Sequence, residues 1–223
     1  QLVKLTVTVN NEIADETGQQ LSDFIKATCS QECTSLSCNN VMHVIPLVNG
    51  IAEKCPRVES LVIVEAKPLF SATISGTITT QVTENDFMHW NLHELKHLCQ
   101  LQLVFATVNY FKQVQYVQLF NNSRETLQYL SLKALYGRKD LEAFCFDKWT
   151  ELLQTCKKLK SIEIGKGVLS SVLSDEDYEL MRNHKALRRL YLNPSLQNKA
   201  TVKEKAPNVK HVTVLFMPLT NTK

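Results

Sequence analysis

Leu2-Val3-Lys4-Leu5-Thr6-Val7-Thr8-Val9-Asn10 opens the chain with an apolar frame, L-x-x-L-x-L-x-x-N. Its second and third apolar positions alternate with polar ones, the pattern of a short strand buried on one face. The frame returns at Val58, Leu61 and Ile63, at Leu98, Leu101 and Leu103, and at Leu127, Leu130 and Leu132. It returns again at Leu159, Ile162 and Ile164, at Leu187, Leu190 and Leu192, and at Val209, Val212 and Val214. A degraded copy falls on Cys33, Leu36 and Cys38. The central residues are Leu5, Leu36, Leu61, Leu101, Leu130, Ile162, Leu190 and Val212. Their spacing runs from 22 residues (190 to 212) to 40 (61 to 101), so the repeat is constant in frame and irregular in length.

Between most frames lies helical spacing. Leu21, Phe24, Ile25 and Thr28 are expected on one helical face, and so are Phe146, Trp149, Leu152, Leu153 and Cys156. Ser174 before Asp175, Glu176 and Asp177 predicts a helix start, with acids where the helix dipole favours them. Pro46 predicts a helix beginning near that residue. One unit cannot stand alone. Burying five side chains at roughly 1.5–3 kcal/mol each does not offset ordering about 28 residues at roughly 1–2 kcal/mol each. Stacked units bury both sides. The expected architecture is α/β: one leucine-rich-repeat solenoid domain over residues 1–223, with about eight irregular strand-helix units and a parallel sheet on the concave face. The long step holds a Ser/Thr-rich segment, residues 66–91, expected to be an inserted loop or hairpin.

Cys55-Pro56-Arg57-Val58-Glu59-Ser60-Leu61-Val62-Ile63 and Cys156-Lys157-Lys158-Leu159-Lys160-Ser161-Ile162-Glu163-Ile164 resemble the cysteine-containing repeats of F-box/leucine-rich-repeat proteins. Ala206-Pro207-Asn208-Val209 is similar, with Ala in place of Cys. The resemblance implies a protein-binding module, the substrate-recognition part of a ubiquitin-ligase receptor. Such a receptor holds its adaptor through an F-box, a segment these residues do not contain.

The 44% hydrophobic and 21% charged composition of the 223 residues fits a globular protein. No run of 18 apolar residues is present, so no membrane association is expected. The chain starts at Gln1 and is expected to be a piece of a longer one. Seven cysteines spread among apolar residues are expected to be buried free thiols in a cytoplasmic or nuclear protein. Charge is uneven. Residues 1–149 hold 12 Lys/Arg against 15 Asp/Glu (−3), and residues 150–223 hold 13 against 7 (+6).

His93-Glu94-Leu95-Lys96-His97 spells HExxH, which on a helix presents two imidazoles and a general base to zinc. Here Leu92, Leu95, Leu98 and Leu101 mark the run into a repeat strand, so the histidines are expected at the surface. Cys29, Cys33 and Cys38 lack paired metal-ligand spacing. No phosphate-binding glycine loop or nucleophile elbow occurs, and no catalytic residue, metal or cofactor is expected.

The strand frame instead points Lys4, Thr6, Ser35, Ser37, Ser60, Val62, Gln100, Gln102, Tyr129, Ser131, Ser161, Glu163, Arg189, Tyr191, His211 and Thr213 away from the core. Tyr129, Ser131, Arg189, Tyr191 and His211 are the candidates for contact with another protein, because Tyr and Arg anchor interfaces. An alternative is an RNA- or DNA-binding surface of Lys157, Lys158, Lys160, Arg182, Lys185, Arg188 and Arg189.

Overall fold

The computed structural model describes residues 3–8, 17–41, 44–65, 91–105, 111, 114–134, 144–165, 167–192 and 199–214. The chain runs β1 (Lys4–Thr8), α1 (Thr17–Thr28), β2 (Ser35–Val41), α2 (Val44–Lys54), β3 (Ser60–Glu65), a 3-10 turn (Asn91–Glu94) and β4 (Gln100–Phe105). It continues with α3 (Tyr116–Asn122), β5 (Tyr129–Ala134), β6 (Cys145–Phe146), α4 (Trp149–Thr155), β7 (Ser161–Ile164) and β8 (Leu169–Ser170). It ends with α5 (Asp175–Asn183), β9 (Arg189–Leu192), α6 (Lys199–Lys205) and β10 (His211–Val214). The expected 66–91 insertion lies outside the described residues except for Asn91, which opens the 3-10 turn.

The fold is mixed α/β. Eight parallel strands form one open sheet in the order β1-β2-β3-β4-β5-β7-β9-β10. The register repeats without slippage at the frame residues. Leu5, Leu36, Leu61, Leu101, Leu130, Ile162, Leu190 and Val212 stand side by side. Val7, Cys38, Ile63, Leu103, Leu132, Ile164, Leu192 and Val214 form the next row. A one-residue slip would carry both apolar rows to the other face. That penalty fixes the register although the connections differ in length.

A second constraint sits just ahead of the strands. The Val3 carbonyl accepts from the amides of Thr34 and Ser35, and the Thr34 carbonyl from Glu59 and Ser60. The pattern continues through the carbonyls of Glu59, Cys99, Gln128 and Lys160, and that of Arg188 accepts from His211. Each helix meets this ladder through a tight turn. The amides of Cys29, Cys55, Ser123, Cys156, His184 and Ala206 bond back to Ile25, Ile51, Leu119, Leu152, Met181 and Val202. These turn residues are buried, which explains the small side chains at most of them.

His184 is the large exception. Its Nδ1 accepts from the Leu187 amide at 3.1 Å, so its Nε2 donates to the Cys156 carbonyl at 3.0 Å. The imidazole thus acts as a neutral linker between two units.

The helices succeed one another in a layer on the apolar side of the sheet, and their buried residues join the strand rows in one core. Gly50 of α2 lies against Ser22 of α1 so closely that a Cβ would collide with the hydroxyl. Phe105, Phe111, Phe144, Tyr116, Phe146 and Trp149 form a chain of ring contacts 4.7–6.1 Å apart. α5 starts at Ser174 with a reciprocal capping box to Asp177, as the sequence predicts. α2 starts at Val44, two residues before Pro46.

Three expectations need correction. Not all seven cysteines are buried, since Cys99 is half-buried and Cys145, in the short strand β6, is exposed. Phe24 and Thr28 are exposed, because the buried stripe of α1 passes through Leu21, Ser22 and Ile25 to Cys29. Phe146 is buried, but in the two-residue strand β6, which pairs with β8 ahead of α4.

Replacing Leu101 by Ala should cost about 2–5 kcal/mol, because it opens a cavity in the inward row. Val62→Thr on the opposite face should stay within about 0.5 kcal/mol. Urea unfolding curves of both variants test the register directly. Burial, aided by nearby Lys157 and Arg188, holds His184 below its ordinary 6.5 despite its bond to Cys156. Below 6.5 the unfolded chain therefore binds more protons than the folded one. Stability should be complete above that value and decline as pH falls through it. His184→Ala should cost about 1–3 kcal/mol near neutral pH. It should also remove that part of the acid-side decline, as read from urea midpoints at roughly pH 5 to 8.

Candidate functional site

The face of the sheet away from the helices is covered by no element among the described residues. The same register that aligns the apolar rows aligns two outward rows. One is Lys4, Ser35, Ser60, Gln100, Tyr129, Ser161, Arg189 and His211. The other is Thr6, Ser37, Val62, Gln102, Ser131, Glu163, Tyr191 and Thr213. Every residue that the frame points outward belongs to one of them.

A polar cluster centred on Glu163 occupies the middle of this face. Glu163 Oε2 accepts from the Tyr129 hydroxyl at 2.9 Å and from the Ser131 hydroxyl at 2.9 Å. Its Oε1 lies 2.9 Å from Lys133 Nζ. Tyr191 stands beside Glu163 on β9. Burial pushes the Glu163 carboxyl up, but the bonds from Lys133, Ser131 and Tyr129 outweigh it and hold the group below its ordinary value. Burial, joined by the negative charge of Glu163, raises the Tyr129 phenol. Both rings are half-buried, and that of Tyr129 is tied through its hydroxyl to Glu163. Gly165 makes room for the cluster, since a Cβ there would sit 2.7 Å from Lys133 Cγ.

The sequence candidates divide accordingly. Tyr129, Ser131 and Tyr191 surround Glu163, but Ser131 is itself buried and its hydroxyl is engaged. Arg189 and His211 are exposed neighbours in the other row, near the rim where the strands begin. Glu163 was recognisable only as an outward residue, and its central role comes from cross-strand geometry. Lys133 follows from extending the strand alternation beyond Leu132.

Three of the seven basic candidates are engaged with backbone carbonyls among the described residues, Arg188 with that of the adjacent Leu187. Arg182 donates to the Lys205 carbonyl between α5 and α6 at 3.1 Å, and Lys157 Nζ caps the Leu153 carbonyl of α4 at 3.0 Å. Lys158, Lys160, Lys185, Arg188 and Arg189 are exposed at strand entries or the turns before them. Lys210 joins them as a residue the sequence reading missed. It occupies the position before β10 that Lys160 and Arg188 occupy before β7 and β9.

The HExxH residues lie in and just after the 3-10 turn. The turn is only four residues long, His97 is exposed, and His93 Nε2 lies 3.3 Å from Glu94 Oε1. The described residues bring one ligand group together. The thiols of Cys29, Cys33 and Cys55 lie within 4.8 Å of one another, so the third thiol is Cys55 and not Cys38. All three are buried, and burial pushes Cys55 up to about 12, so it is a neutral thiol at physiological pH.

Glu163→Ala would leave two hydroxyls and the Lys133 ammonium without their shared acceptor, costing about 1–3 kcal/mol. Because the folded carboxyl is held below its ordinary 4.5, its contribution is present above that value and lost as pH falls through the folded one. The stability gap between the native chain and Glu163→Gln, measured by urea unfolding, should therefore shrink on acidification.

No protein-family model matches the chain, and a search of curated proteins returns no relative.

Proposed function

We propose that the chain is a protein-interaction module, a leucine-rich-repeat solenoid whose open sheet face receives another protein. One observation carries this reading: eight in-register strands hold two continuous outward rows, with Glu163 holding the Tyr129 ring near the middle. Recognition gains from such preorganisation, because little side-chain entropy remains to be lost on binding. The Cys-Pro and Cys-Lys turns at Cys55 and Cys156, now seen as helix-ending turns, support the resemblance to F-box repeats. On that reading the chain is the substrate-recognition part of a ubiquitin-ligase receptor, and an adaptor binds through a region outside it. The role is recognition rather than catalysis. Seven free thiols support a cytoplasmic or nuclear setting, and no described helix is long and apolar enough to cross a membrane.

A photo-crosslinking residue at Tyr191, on the open face, should capture a discrete protein in cells. The same residue at exposed Glu179 on α5 should not. Equal capture at both positions, or none at Tyr191, would count against the open face as the binding surface. The ligase version fails if the full-length chain recovers no cullin adaptor.

A further inference from the structure

The entry carbonyl ladder places Lys160, Arg188 and Lys210 directly beside one another on successive strands. Both the Arg188 and Arg189 amides bond to the Lys160 carbonyl, and the His211 amide bonds to that of Arg188. Neighbouring strands lie about 4.8 Å apart, so three cations stand in a column roughly 10 Å long. The five preceding positions of the ladder, Val3, Thr34, Glu59, Cys99 and Gln128, carry no cation. Arg189, His211, Lys158 and Lys185 flank the column, all exposed. Among the described residues none of these lysines and arginines takes an ion pair.

Like charges facing one another across strands destabilise a sheet. Cations near helix ends often compensate by bonding to the last carbonyls. Lys157 does so, and Arg188 Nη1 donates to the adjacent Leu187 carbonyl at 2.8 Å, yet Lys160 and Lys210 make no such bond among the described residues. The column therefore holds three positive charges that no carboxylate among the described residues neutralises.

We propose that this rim is the docking site for an acidic peptide segment of the partner protein, running across the starts of β7, β9 and β10. The inference rests on the interaction-module reading and names the chemistry of the partner. In an extended peptide, side chains on one face recur about every 6.8 Å. Two or three carboxylates so spaced fall within reach of the three long basic side chains. A nucleic acid fits the rim less well. Duplex binders commonly neutralise about 6–10 phosphates, and single-strand binders add open aromatic platforms. The Tyr129 ring beside the rim is half-buried and tied through its hydroxyl to Glu163.

The test is fluorescence anisotropy with a labelled peptide of about ten residues alternating Glu and Ser, alongside a Lys-Ser control and single- and double-stranded oligonucleotides. The Glu-Ser peptide should bind and weaken with added salt. It should lose about tenfold or more in affinity when Lys160, Arg188 and Lys210 are all changed to Glu. Circular dichroism and thermal melting confirm that this variant folds, and Lys160→Gln with Lys210→Gln gives a milder second variant with an intermediate loss. No binding of the Glu-Ser peptide, binding indifferent to these substitutions, or tighter binding of an oligonucleotide that the same substitutions abolish would overturn the proposal. Crosslinking from Tyr191 separates the two readings. If the triple substitution leaves that capture intact while the peptide fails to bind, the interaction module stands and the acidic partner falls.

Discussion

Each unit of this protein is locked to the next by a backbone carbonyl at the strand entry, which in most units accepts two amides from the following unit. Everything else inherits its alignment from that ladder. Once the entry residues are level, the apolar rows are level, and so are the outward rows. The connections then become free to vary, which is how a 40-residue step and a 22-residue step coexist in one regular sheet. Irregular length is tolerated because the cost of closing a longer loop grows slowly with its length.

The helix-ending turn is the ladder's counterpart on the other side of each unit. It must reverse the chain inside the core, so its side chain has to be small or fully engaged. Cys29, Cys55, Cys156 and Ala206 meet the first condition, and His184 meets the second with two hydrogen bonds. The convergence of three thiols near the first two helices follows from this geometry, as two of them are turn residues of adjacent units and the third enters the strand between them.

Alignment also concentrates charge. Helices end where strands begin, so basic residues in the turns and at strand entries collect on one rim. The acids at the start of α5 sit at the far end of that helix. On the open face the same alignment brings Tyr129, Ser131, Lys133 and Glu163 from two strands into one hydrogen-bonded group. The proposed recognition role draws on both features, one supplying a held tyrosine ring and the other unbalanced charge.

The sequence by itself determined the eight strand frames, their order and which of the frame residues face the helices, because period-two alternation is a local property written into each frame. It also determined the Ser174 cap and the burial of Cys29, Cys33, Cys38, Cys55 and Cys156, which depend on residues close in the chain or on the apolar pattern. Only the tertiary structure decided which outward residues touch. Glu163 meets Tyr129 across 34 residues, and His184 meets Cys156 across 28. It also tied Arg182 and Lys157 to backbone carbonyls and set Lys210 beside Arg188. The physical reason is the irregular connection length. With no fixed period, distance along the chain does not reveal which side chains will stand side by side, and the entry ladder settles that only when the units stack.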